Sequence, residues 1–174
     1  MAWEFDFLYA LQQIRSPILD KVMALLSTLG DMGILWIAIG VLLLFSKKYR
    51  CGGWQMLIAM LLTFVVGNLI LKNAFDRLRP CQIDETINLI VKIPHDSSFP
   101  SGHTMNGITA ALTLIFIDKR MGIPAMILAV CIAFSRMYNF MHFPTDVLAG
   151  TVIGIVSAVL MNYIFTKLSR NKTN

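Results

Sequence analysis

Five stretches of this chain, 34–45, 56–71, 107–117, 123–134 and 147–165, contain no charged residue. No other feature limits the fold as tightly, because crossing the hydrocarbon core of a bilayer takes about 20 mainly apolar residues. The composition agrees. Of 174 residues, 56% are apolar and only 14% charged, against about 25% charged in soluble domains. Too little polar surface remains to coat a water-soluble interior. The chain is expected to be an all-α integral membrane protein, one domain by length.

Six spans are predicted, at roughly 17–29, 31–46, 53–74, 101–117, 121–139 and 144–166. They form a six-helix bundle within a single membrane-embedded domain, 1–174, with 1–16 as a lead-in, 17–166 as the core and 167–174 as a cytoplasmic tail. Gly30-Asp31 reads as the turn between the first two spans, and Asp118-Lys119-Arg120 as a tight turn between the fourth and fifth. In the lead-in, Phe5, Leu8 and Leu11 suit one face of a short helix lying at the membrane interface. No cleavable signal peptide is expected, since Glu4 and Asp6 stand where a basic n-region would be.

If the spans alternate, the basic clusters at 47–50, 119–120 and 167–172 fall on one side, which the positive-inside bias makes cytoplasmic. Arg15 joins them if the N-terminus lies there too. The net charge of +5 is dispersed along the chain, which argues against a nucleic-acid partner.

Three groups of polar residues then fall together on the opposite side. Lys72 and Arg79 are seven apart, two helical turns or about 10 Å of rise, so both reach one anion if the helix continues; Pro80 then stops it. Alone, the pair reads better as cations snorkelling at an interface. Pro100-Ser101-Gly102-His103 reads as a helix start, with Ser101 as N-cap and the free N–H groups of the first turn turned to an anion. Helix capping accounts for the Ser and Pro but not for the His. Arg136 ends the fifth span, and His142 precedes Pro144, with Asp146 four residues on, within reach of an imidazole nitrogen. Cations and two imidazoles at one end of a bundle suit phosphoryl transfer, which is mainly positioning and charge stabilisation.

Lys72-x6-Arg79-Pro80, Pro100-Ser101-Gly102-His103 and Ser135-Arg136-x5-His142-x3-Asp146 together resemble the three signature motifs of the type-2 phosphatidic acid phosphatase family, in order and complete. The soluble vanadium haloperoxidases share these motifs, and this chain is not soluble. The resemblance implies a six-helix membrane core and a lipid phosphatase. It implies that His142 attacks phosphorus to give a phosphohistidine, held and polarised by Asp146, and that His103 protonates the leaving oxygen and then activates water. Lys72, Arg79, Arg136, Ser101 and the Gly102 N–H would bind the phosphoryl oxygens. No metal or other cofactor is expected; Asp84-Glu85 and His95-Asp96 are read as parts of a solvated loop. A bacterial inner-membrane enzyme acting at the extracytoplasmic face is implied, with undecaprenyl pyrophosphate first among substrates and phosphatidylglycerophosphate or phosphatidic acid as alternatives. A transporter or flippase using the cations for binding alone is the alternative of another class.

Overall fold

The computed structural model describes residues 2–171, so Lys172 of the predicted tail lies outside the described residues. Among these the chain is helical, with no strand. A first helix, α1 (Ala2–Gln13), is followed by Ser16, whose hydroxyl accepts from Leu19 N at 3.3 Å while Pro17 takes the first helical position of α2 (Pro17–Leu29). This is an N-terminal cap of the usual kind. A single turn, Asp31–Gly33, leads into α3 (Ile34–Leu44). Next, α4 (Arg50–Phe64) runs through a π-helical stretch, Val65–Leu71, into the short α5 (Lys72–Phe75). Asp76, at φ 38°, ends it, and α6 (Pro80–Ile83) follows. Beyond an irregular segment come α7 (Gly102–Ile117), α8 (Lys119–Tyr138) and α9 (Pro144–Arg170), so the last helix runs into the predicted tail.

Helical segments Arg50–Ile83, α8 and α9 are each long and apolar enough to cross a membrane, and α7 is a shorter apolar helix. The first two predicted spans pass that test only as a pair, bent by 42° at their junction. Their contacts show that they run in one direction. Asp20 accepts from Tyr138 Oη at 2.6 Å, the Met23 carbonyl from Asn139 at 3.2 Å, and Ser27 is bonded to Arg136, so α2 descends along the end of α8. Gly40, on α3, then packs against Leu57 of α4 further down. Among the described residues three segments pass the spanning test, four with the bent pair taken as one, and α7 is a shorter fifth, so the six spans expected are not found as six separate helices. Gly30-Asp31 is a kink, not a reversal, because α2 and α3 bury their faces against α8 and α4 in sequence.

That correction moves α1. Its Leu8 and Leu11 are buried with Cys81, Phe140, Met141 and Phe143, and Tyr9 Oη donates to Asp84 at 2.7 Å. Helix α1 thus sits over the end of the bundle that carries α5, α6 and the starts of α7 and α9, and Arg15, donating to the Asn88 carbonyl at 2.8 Å, is at that end too. The face expected to meet lipid meets protein; Trp3 and Phe7 are on the exposed face. At the other end, Tyr49 Oη reaches Asp118 at 3.2 Å, bringing the basic residues 47–50 beside 119–120.

Helix α7 is central, packed on α4, α8 and α9. A core of Trp36, Met56, Met60, Ile108, Leu114 and Ile132 fills the middle. Against α9 the approach is closer. A Cβ at Gly150 would stand 2.8 Å from the Ser101 carbonyl, and one at Gly154 2.9 Å from that of Met105. Small residues let helix backbones meet in membrane bundles. Here they bring the second and third turns of α9 against the first two turns of α7.

Candidate active site

Where these turns meet lies a cavity of about 470 Å³, lined by Lys72, Arg79, Gly102, His103, Arg136 and His142, together with Asp31, Asn68, His95, Asp96 and Asn106. Residues from all three sequence groups share one wall. Lys72 and Arg79 do not share a face of a continuous helix as expected. The helix ends at the left-handed Asp76, just after the π-helical stretch that leads into Lys72, and Arg79 sits in extended backbone at φ −78°, ψ 154°. Pro80, expected to stop a helix, begins one. π-Helical turns collect at functional sites because they re-aim side chains.

Arg79 is fully buried. Its Nη2 donates to Asp96 Oδ1 at 2.7 Å and Nε to the Asp96 carbonyl at 3.1 Å, while Nη1 donates to the Met141 carbonyl at 3.0 Å. Lys72 holds the other Asp96 oxygen in a short ion pair. Asp96, read from the sequence as part of a solvated loop, is therefore drawn into the site with its carboxylate between two cations. Partial burial alone would raise its pKa, but the Lys72 hydrogen bond and the charges of Lys72 and Arg79 bring it down to about 2. The third cation, Arg136, is buried and bonded through Nη1 to Ser27, and its Nε has no hydrogen-bond partner. A buried guanidinium with an unsatisfied donor is costly unless an anion joins it.

His142 is buried in the loop between α8 and α9. Its Nδ1 donates to the Ser98 carbonyl at 2.8 Å, and its Nε2 faces Arg79 Nη1 at 3.1 Å. A carbonyl can only accept and a guanidinium can only donate. The neutral ring therefore carries its hydrogen on Nδ1, and its Nε2 lone pair accepts from Arg79 at the cavity wall. Burial, and then the nearby Arg79 and Arg136 charges, push its pKa well below that of an ordinary histidine.

Asp146 is not the direct partner of His142. The closest approach to Nδ1 is 3.6 Å, beyond hydrogen-bond range. Its Oδ2 instead accepts from Ser98 Oγ at 2.6 Å and from Phe143 N at 2.8 Å, and its Oδ1 from Arg77 at 2.6 Å. Arg77 also bonds Glu4 of α1 at 2.9 Å and Thr145 at 2.7 Å. Asp146 thus caps α9 and fixes Ser98, and the Ser98 carbonyl orients the ring. Ser101 does not line the cavity either. It stands at the N-cap position without a capping bond, and its hydroxyl accepts from Thr104 at 3.0 Å.

The model of the PAP2 superfamily matches residues 52–170. The chain belongs to the PAP2 superfamily. It is 35% identical over 137 residues to a protein of Sulfolobus acidocaldarius named undecaprenyl-diphosphatase, covering 78% of this chain and 66% of that one. It is 31% identical over 176 residues to phosphatidylglycerophosphatase B of Bacillus subtilis, covering 90% of this chain and 80% of its relative. The crystal structure of a transmembrane PAP2-type phosphatidylglycerolphosphate phosphatase from the same species superposes with a TM-score of 0.78 at 28% identity, over 95% of this chain and 86% of that one.

Against that background the PAP2 motif residues fall into two groups. Lys72, Arg79, Gly102, His103, Arg136 and His142 line the cavity, whereas Ser101 and Asp146 stand behind it. Several residues around them were not singled out in the sequence. Ser98 orients His142, Arg77 neutralises Asp146, Ser27 holds Arg136, Asp31 meets His103 and Asp96 occupies the cations. Ser98, two residues before Pro100, and Arg77, between Lys72 and Arg79, stood close enough to a motif to draw notice.

Proposed function

We propose that this protein is a membrane lipid phosphatase that cleaves a phosphate or pyrophosphate headgroup through a phosphohistidine on His142. One observation carries the reading. The Asp96 carboxylate lies between Lys72 and Arg79, and Arg79 also touches the bare Nε2 of His142. A phosphoryl group taking the place of that carboxylate would meet both cations and the lone pair, with Arg136 as a third cation.

The His142 Nε2 lone pair would attack phosphorus, and the P–O bond electrons would leave with the lipid oxygen, which takes a proton from His103. His103 would then take a proton from water as that water attacks the phosphohistidine, releasing phosphate and restoring His142. Three cations supply the charge stabilisation, so no metal is required. Asp146 acts through Ser98 and the cap of α9, not by a bond to the ring. Ser101 shapes the turn from behind, and the Gly102 backbone, near Lys72, faces the phosphoryl oxygens.

Undecaprenyl pyrophosphate is the first-ranked substrate, in keeping with the name of the Sulfolobus relative; phosphatidylglycerophosphate and phosphatidic acid are the alternatives. The chain spans 66% of that relative's length, so the substrate rests on the site as well as on the likeness. Exposed Met32 and Phe64 at the cavity edge would lie along the lipid tail. The site would face the extracytoplasmic side of a bacterial inner membrane, with α1 in the headgroup layer. Lys47, Lys48, Arg50, Lys119, Arg120 and Lys167 at the far end support that orientation. At the site end, Lys72, Arg79 and Arg136 belong to the cavity and Arg77 and Arg15 are ion-paired, which leaves Lys21 and Lys92.

Phosphate release by purified protein in detergent with EDTA, over a panel of lipid phosphates and pyrophosphates, tests the proposal. Turnover that survives EDTA is expected. No turnover on any member would leave the non-catalytic transporter, and loss of turnover with EDTA would overturn the metal-free mechanism.

A further inference from the structure

The phosphatase reading gives His103 a proton to deliver but leaves open what holds that proton. The kink between α2 and α3 is built around this ring. Asp31 Oδ1 lies 3.0 Å from His103 Nε2. The carboxylate can only accept, so Nε2 bears the hydrogen. Gly30 leaves room for the imidazole, since a Cβ there would stand 2.6 Å from His103 Cδ2. Met32, next in the chain, is held at φ 54°. A non-glycine residue in that region is strained, and such strain collects at functional sites.

The two imidazoles are therefore held in opposite senses. His142 donates through Nδ1 and keeps Nε2 bare beside a guanidinium. His103 keeps a hydrogen on Nε2 beside a carboxylate. The two carboxylates differ as well. Asp146 is buried, and its charge is taken up by Arg77, Ser98 and Phe143 N. Asp31 has its side chain 56% exposed at the cavity wall and His103 as its ion-pair partner. Two like groups whose surroundings differ in this way take up different acid–base roles.

We propose that Asp31 is a positioning residue for proton delivery, its carboxylate holding the hydrogen on His103 Nε2 until the departing lipid oxygen takes it. As the P–O bond breaks, its electron pair goes to that oxygen. The imidazolium gives up its Nε2 hydrogen and becomes neutral imidazole, and Asp31 remains a carboxylate throughout. In the second half-reaction Nε2 regains a proton from the attacking water, and the contact with Asp31 re-forms. This rests on the phosphatase reading and assigns a second carboxylate to it, serving the acid as Asp146 serves the nucleophile.

The test is leaving-group dependence. A departing alkoxide needs a proton; p-nitrophenolate leaves without one. General acid–base groups contribute roughly 10²- to 10⁴-fold, so Asp31→Asn, which keeps the shape, should lower kcat/KM on dioctanoyl phosphatidic acid by about 10- to 100-fold. On p-nitrophenyl phosphate the loss should stay within about threefold. His103→Ala should show the same selectivity more strongly, and adding Asp31→Asn to it should cost nothing further. Equal losses on both esters would mean that Asp31 only shapes the fold, and no loss on either would mean that it is idle; each overturns the proposal. Additive losses in the double variant overturn it too. Wild-type protein inactive on both esters and on every lipid phosphate and pyrophosphate of the panel would instead overturn the phosphatase reading itself.

Discussion

Replacing Asp96 by Asn removes the one carboxylate that holds the phosphate cations at rest, and the effect on substrate binding can be sized from the structure. Lys72 and Arg79 Nη2 each bond one oxygen of this carboxylate. Hydrogen bonds between charged groups contribute about 1.5–3 kcal/mol each when buried. The Asp96 side chain is 50% exposed, so solvent screening reduces the pair to about 1–1.5 kcal/mol in total. A site open in only about a tenth of the molecules binds its ligand about tenfold more weakly than an open one. Asp96→Asn should therefore lower KM for a lipid phosphate by about 5- to 13-fold, with kcat unchanged, and inorganic phosphate should inhibit it at correspondingly lower concentration. Because Asp96 titrates at about 2, it stays ionised at every working pH. The contact is fully present above the unfolded carboxylate pKa of about 4 and is lost only as pH falls through the folded value. The KM difference should thus be flat from about pH 5 to 9. Steady-state phosphate release in detergent micelles measures both constants. A KM that stays the same or rises in Asp96→Asn would refute the view that this carboxylate competes with substrate.

Arg77→Gln leaves the buried Asp146 and Glu4 without their cation, which should destabilise the protein by about 3 kcal/mol and lower its thermal midpoint in detergent; an unchanged midpoint would show the network to be dispensable. Gly150→Val drives a side chain into the Ser101 carbonyl and should lower both the midpoint and kcat, whereas Gly150→Ala should do so more mildly. With the His142 pKa pushed down by burial and by Arg79, the nucleophile stays neutral on the acid side of an ordinary histidine. The acid limb of kcat/KM should accordingly fall below about pH 6.5, and a limb above that value would contradict the assignment.

The residues assigned to the chemistry were legible because the proposed reaction limits them to a few types at membrane ends: cations, two imidazoles and a turn. What supports them was not. Gly30-Asp31 carries the same local signal whether the chain reverses or only kinks, and packing of α2 on α8 and of α3 on α4 decides between the two. The spacing of Lys72 and Arg79 fits two turns of helix, yet the left-handed Asp76 and the extended backbone at Arg79 bring them together by another route. Asp96 and Arg77 look like ordinary charges of a polar loop. Their partners are distant in sequence, Asp96 with Lys72 and Arg77 with Glu4 and Asp146. The four-residue spacing of His142 and Asp146 promised a direct bond. The cap of α9 claims that carboxylate first, and a backbone carbonyl orients the ring in its place.

The central claim is covalent, and rapid quenching tests it most directly. Protein mixed with a lipid phosphate carrying ³²P at its terminal phosphorus and quenched in alkali within one turnover should retain label. That label should be stable to base, labile to acid and located on His142, and it should be absent from His142→Ala. An actively hydrolysing wild-type protein that holds no such label, or a His142→Ala variant that still acquires it, would contradict the account.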